Sequence, residues 1–99
     1  MQTPFQYHFN WDPHKAASNQ RKHRVSFEQA AAVFHDPFMI SMPDDEHVER
    51  WITIGQTNHC RTLLVVHTYV ETGINQASVR IISARPATKQ ERQQYEDML

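Results

Sequence analysis

The sequence predicts a small single α+β domain: an N-terminal strand and two helices, an antiparallel β meander of three strands, and a C-terminal helix. Three observations carry that reading. Helix-start signals stand at Asp12–Pro13, at Ser26 and at Thr88, two before and one after the strand-rich region. Leu63–Leu64–Val65–Val66 is apolar on both parities, as a central strand covered on both faces is. The connections at 57–60 and 71–76 are of hairpin length, which joins successive strands antiparallel.

Each element follows from its own residues. Phe5–Gln6–Tyr7–His8–Phe9 alternates aromatic and polar side chains and reads as a short strand. Asp12 and Pro13 supply an N-cap and a first-turn proline for a helix over 13–24. Ser26–Phe27–Glu28–Gln29 has capping-box spacing, with Gln29 reaching back, and Phe27, Ala30, Ala31 and Phe34 share one face of the helix it opens. Pro37 ends that helix. Residues 39–42 suit a short strand, 43–47 an exposed acidic loop, and 49–56, 61–70 and 77–85 the three meander strands. Pro86 stops the last strand, and Thr88 caps a helix running to about residue 98.

Bulk properties narrow the function classes. Ninety-nine residues hold one core, so the domain is taken as 1–99. A lone cysteine, Cys60, excludes an internal disulfide and fits a reducing cytoplasm. The start of the chain has neither a basic nor an apolar leader-like run, and no window approaches a membrane span. Net charge is −1, which argues against strong non-specific nucleic-acid binding. Residues 41–50 carry a local balance of −3, leaving +2 elsewhere, with Arg21–Lys22–His23–Arg24 the densest basic run. The seven histidines show no metal-ligand spacing, so no metal is expected. Gly55 and Gly73 are the only glycines, so there is no phosphate-cradling loop and no cofactor is expected.

Arginines inside the last meander strand are the most informative feature, because a guanidinium in a sheet calls for an anion opposite it. If both hairpins close symmetrically, Gln56 pairs with Arg61 and Arg50 faces His67. Val70 then pairs with Ala77, and His67 faces Arg80. Arg50, His67 and Arg80 would form a cationic, titratable rim beside an apolar floor of Ile52, Val65 and Ile82. Such a rim suits a phosphodiester: guanidiniums neutralise the phosphate, and an imidazole moves a proton. Arg85 differs in parity from Arg80 and joins them only if Pro86 bends the strand end.

Bland readings stand beside these. His67 in a buried strand also suits a hydrogen-bonded core histidine, and Arg80 suits an ion pair with Glu49, Glu71 or a helix carboxylate. Arg85 suits hydrogen bonds to carbonyls near the chain end, and Tyr95 suits packing. Arg21–Lys22–His23–Arg24 suits a solvated helix C-terminus, where cations complement the dipole.

The blocks Phe9–Asn10–Trp11–Asp12–Pro13–His14–Lys15–Ala16, Asn19 through Lys22–His23, Val25–Ser26–Phe27–Glu28–Gln29–Ala30, Glu49–Arg50–Trp51–Ile52–Thr53–Ile54–Gly55, Leu64–Val65–Val66–His67–Thr68, Arg80–Ile81–Ile82–Ser83–Ala84–Arg85–Pro86–Ala87–Thr88, Glu91–Arg92 and Tyr95–Glu96 occur in this order. In that series the chain resembles the BrnT toxin family from Phe9 to Glu96. The family pattern has glycine after the Lys–His pair, where Arg24 stands here.

The resemblance implies a RelE-like fold and the toxin component of a type II toxin–antitoxin system, a metal-independent endoribonuclease working through 2′-hydroxyl attack. It implies Arg80, His67, Arg85 and His23 as catalytic residues, and Lys22, Arg50 and Tyr95 as substrate-binding ones. It implies RNA as substrate, a BrnA-like ribbon-helix-helix antitoxin as partner, and DNA contact only through that antitoxin. The competing reading is a non-catalytic or attenuated toxin-fold protein that binds the antitoxin and autoregulates its operon. An RNA-binding protein without chemistry is a third reading, disfavoured by the acidic loop.

Overall fold

A computed structural model describes residues 4–99; residues 1–3, part of the stretch read as lacking a leader, lie outside the described residues. The elements run β1 (Gln6–Asn10), α1 (Pro13–His23), α2 (Phe27–Ala32), a 3₁₀ turn (Val33–His35), β2 (Ile40–Pro43), β3 (Arg50–Gln56), β4 (Thr62–Thr68), β5 (Val70–Gly73), β6 (Gln76–Pro86) and α3 (Lys89–Asp97). The expected class and element order hold. The long strand expected over 61–70 divides at Tyr69 into β4 and β5.

Local signals start the helices as the sequence implies. Asp12 Oδ1 accepts from His14 N at 2.8 Å, and Pro13 occupies the first turn. Ser26 and Gln29 complete a reciprocal capping box, and so do Thr88 and Glu91. At the other end of α1, Arg24 takes the left-handed conformation (φ 56°, ψ 37°) that glycine usually supplies, and its N–H donates to Gln20 O. A side chain there costs about 1–2 kcal/mol. Arg24→Gly is therefore expected to raise stability by about 0.5–1 kcal/mol, part of the relief being offset by the freer unfolded chain. A thermal melt showing a lower midpoint for the variant would contradict this.

One mixed sheet holds the strands in the order β1-β6-β4-β3-β2, with β5 pairing β6. The β3–β4–β6 meander is antiparallel, as expected, whereas β1 pairs β6 in parallel. One face carries Leu63, Val65, Val79, Ile81 and Ala84 against Val25, Phe27, Ala30, Val33 and Phe34 of the helical segment. The other carries Ile54 and Leu64, covered at one end by Tyr95 of α3. Apolar residues on both parities of β4 thus serve two cores. Gly55 is held by a close approach: a Cβ there would lie 2.8 Å from Val33 Cγ1.

Register departs from the symmetric assumption at two places. Thr57 N donates to Arg61 O, and Cys60 sits at φ 61°, so Gln56 pairs with Thr62 rather than Arg61. Arg50 therefore faces Thr68, and Trp51 faces His67. In the second hairpin, Val70 pairs with Ser78 rather than Ala77. That register carries through to His67, which faces Ile81 and not Arg80, and a bulge then leaves Ile82 between the His67–Ile81 and Val66–Ser83 pairs. Each shift moves side chains to the opposite face of the sheet.

Candidate functional site

The shifted register divides the expected cluster. Directly paired residues share a face and successive residues alternate. Arg50, Thr68 and Arg80 consequently lie on the α3 side, while His67 points into the helix-covered core. The Ile82 bulge changes the parity of β6, and Arg85, paired with Leu64, joins Arg50 and Arg80 on one face. Pro86 is not the bend that achieves this. Val66, Ile52 and Met42, all half-buried, form the apolar floor in place of Val65 and Ile82.

Arg80 is exposed at the open end of this face. Its Nη1 donates to Asn10 Oδ1 at 2.7 Å, and its backbone N–H to Thr68 Oγ1 at 3.3 Å. A neutral amide is its partner, not one of the expected carboxylates, and among the described residues no ion pair cancels the guanidinium charge. Asn10 is placed there by the parallel β1–β6 pairing, which also brings His8 onto the same face opposite Ser78. The polar parity of β1 was visible in the sequence, but its parallel neighbour was not.

Arg85 is engaged differently. It forms a two-pronged bond with Glu91, at 2.7 and 2.8 Å, and also reaches Pro86 O. The Arg85 bonds, together with the Thr88 amide, outweigh burial and hold Glu91 down at about 2, from 4.5. Because the folded value lies below the unfolded one, this contribution is complete above about pH 4.5 and is lost as pH falls toward about 2. Side-chain exposures of 37% and 21% leave the pair well screened, so it contributes under about 1 kcal/mol. Glu91→Gln is expected to flatten the acid limb of the stability curve in that window. Identical acid limbs in denaturant titrations would refute the assignment.

Lys22 and His23 lie on the last turn of α1, which runs beside β6 beyond the point where β1 departs. Asn19 fixes that position: its Nδ2 donates to Ala84 O at 2.8 Å and Val25 O at 2.9 Å, and its Oδ1 accepts from Ala84 N. One buried amide thus satisfies both the helix-end loop and the free strand edge. Lys15, Lys22 and His23 border a shallow groove with the bulged Ile82 and with Ser83. Ser83 pairs with Val66, so the groove opens beside the arginine face. Asn19 and Lys15 stand in the blocks that carry the family resemblance but not among the expected site residues, although their helical spacing to Lys22 and His23 was available.

His67 is 2% exposed. Its Nδ1 lies 2.9 Å from Thr68 O, and because a carbonyl only accepts, Nδ1 carries the proton. Nε2 then accepts from Thr53 Oγ1 at 2.6 Å, and Thr53 in turn accepts from Ser41 Oγ at 2.7 Å. Burial pushes the imidazole below its ordinary value despite the Thr68 bond, which favours this neutral form. The core-histidine reading describes these surroundings.

Tyr95 is also buried at 2% exposure, and its hydroxyl donates to Asp36 Oδ2 at 2.6 Å. Burial and that carboxylate push the phenol up to about 12. Asp36 further accepts from Gln56 N and Phe38 N. Burial alone would raise its carboxyl, but these donors hold it below the usual range. Asp36 therefore ties α3, β3 and the turn before β2 together, a role no local motif announced. Tyr95 faces this tie rather than the arginines.

Chemically, the open face and its groove offer two guanidiniums that have no carboxylate partner among the described residues, with ammonium groups and an imidazole beside an apolar floor. That combination can bind a polyanion and stabilise added negative charge. Among the described residues no helix is long and apolar enough to cross a membrane.

Residues 11–91 match the family model described as the ribonuclease toxin BrnT of type II toxin–antitoxin systems. Among solved structures, the chain is similar to the Brucella abortus ribonuclease toxin BrnT, a crystal structure at 1.1 Å resolution. The two share 21% identity with a TM-score of 0.65, over 85% of this chain and 100% of that one. No curated protein matches the sequence.

Proposed function

The chain belongs to the BrnT family of type II toxin–antitoxin ribonuclease toxins, and from that premise we propose that it is an endoribonuclease neutralised by a cognate antitoxin. The observation that carries the reading is the gathering of Arg50 and Arg80, with Arg85, on one open face beside the Lys22–His23 groove.

In this mechanism Arg80 holds the scissile phosphate and meets the extra negative charge of the pentacovalent transition state. Lys22 and Arg50 bind the flanking backbone. The 2′-hydroxyl attacks phosphorus, His23 takes its proton, and the bond to the 5′-oxygen breaks as that oxygen takes a proton from solvent water. The products are a 2′,3′-cyclic phosphate, or the 3′-phosphate derived from it, and a 5′-hydroxyl end. The nucleophile belongs to the substrate, so no metal-activated water enters the scheme. Arg85 contributes to the field of the face while bound to Glu91. His67 supports the fold beneath the face, and Tyr95 packs over its Ile54–Leu64 end.

The partner is a BrnA-like ribbon-helix-helix antitoxin, through which alone the complex meets operator DNA, and the site of action is the cytoplasm. Incubating antitoxin-free protein with a defined RNA in EDTA, then analysing fragment ends, tests the chemistry. Cyclic or 3′-phosphate ends are expected. Intact RNA from folded protein, together with no growth arrest on expression, would instead favour the non-catalytic binding module.

A further inference from the structure

The face opposite the arginines has its own opening. A recess of about 260 Å³ lies over the sheet between Tyr7, Phe34, Ser41, Trp51, His67 and Tyr69. Its walls are aromatic, and Trp51 stays 36% exposed at the rim although it is a core-sized side chain. The Ser41–Thr53–His67 chain of hydroxyls and imidazole closes the floor with its polar atoms already bonded. Such a floor accepts an apolar or aromatic group and offers no strong donor to a phosphate.

Charge around the opening has one sign. Trp51 pairs with Pro43, so the acidic loop between β2 and β3 begins one residue beyond this pair on β2 and two residues beyond it on β3. Asp45, Glu46 and Glu49 are exposed there, and Glu71 lies close enough to Tyr69 to raise its phenol alongside burial. None of these carboxylates has an ion pair among the described residues. The one cation of the loop segment, Arg50, points to the other face. Val48, at the loop tip, is fully exposed at 100%.

We propose that this aromatic recess and its acidic rim are the docking site for a basic segment of the antitoxin, which seats one aromatic or branched apolar side chain against Trp51 and sets lysines or arginines against Asp45, Glu46 and Glu49. The inference rests on the toxin–antitoxin reading and adds the surface and the chemistry of the partner. RNA is the wrong occupant, since four carboxylates repel its phosphates. A desolvated tryptophan with a charged surround is the usual form of an interface anchor.

The test measures affinity of the co-expressed antitoxin for the full chain and for Trp51→Ala, Glu49→Lys and Arg80→Ala. Trp51→Ala and Glu49→Lys are each expected to weaken binding about tenfold or more. Wild-type affinity should fall as salt rises, and Arg80→Ala should bind as wild type does. Glu49→Lys alters only an exposed position, so it decides the matter if Trp51→Ala lowers the thermal midpoint. Wild-type affinity in both recess variants, or a raised KM for RNA in Trp51→Ala with antitoxin binding intact, would overturn the assignment. Failure of the wild-type chain to bind any antitoxin would remove the toxin–antitoxin reading and this inference with it, a pattern distinct from selective survival of the variants.

Discussion

Arg80→Ala is expected to lower RNA cleavage by about 100-fold or more while leaving the thermal midpoint within a few degrees of wild type. The size follows from removing a pre-placed charge aimed at the phosphate as its negative charge grows. The small stability effect follows from the site: Arg80 is exposed and, among the described residues, its side chain bonds only Asn10 Oδ1. An exposed bond of that kind contributes about 1 kcal/mol or less. Arg85→Ala makes the informative contrast. It also leaves Glu91 without its partner and so weakens the start of α3. Cleavage by Arg80→Ala at the wild-type rate would end the assignment of this strand as the catalytic one, whatever else the protein binds.

His67→Ala is expected to act in the opposite way, costing about 3 kcal/mol of stability. The substitution opens a cavity in the core beside Phe34, whose ring centroid lies 4.8 Å from the imidazole. It also removes the acceptor of Thr53, a buried hydroxyl already supported by Ser41. Denaturant titration should show a lower midpoint with an unchanged slope. The wild-type chain carries a related pH signature. The folded imidazole titrates below its ordinary 6.5, so the unfolded chain binds the proton more readily and stability declines as pH falls below about 6.5. A fully stable His67→Ala protein that has lost cleavage would make His67 a catalytic residue and displace the core role argued for it.

These two positions, thirteen residues apart in sequence, also mark what was legible from the chain. Arg80 was visible as a charge inside an apolar strand, and its exposure on an open face agrees with that signal. His67 was visible only as a histidine in a buried strand, for which catalysis and core hydrogen bonding look alike. Lys22 and His23 stood out as a basic helix end. That they border a groove with Ser83 depends on Asn19 bridging 65 residues to Ala84. Tyr95 stood out through the family pattern, whereas its partner Asp36, 59 residues away, carried no local mark.

What the chain determined by itself is the helices, the strands other than the separate β5, and their order. Caps act across three or four residues, as Asp12, Ser26 with Gln29, and Thr88 do, and the two-sided apolar character of Leu63 to Val66 requires a covered central strand. Tertiary structure alone decided which face each functional side chain occupies and that β1 joins β6 in parallel. The reason is that a strand's side chains alternate with period two. The left-handed Cys60 in one turn, the Val70–Ser78 register of the other and the single bulged residue Ile82 therefore reassign the faces of Arg50, His67, Arg80 and Arg85, although none leaves a mark in local composition.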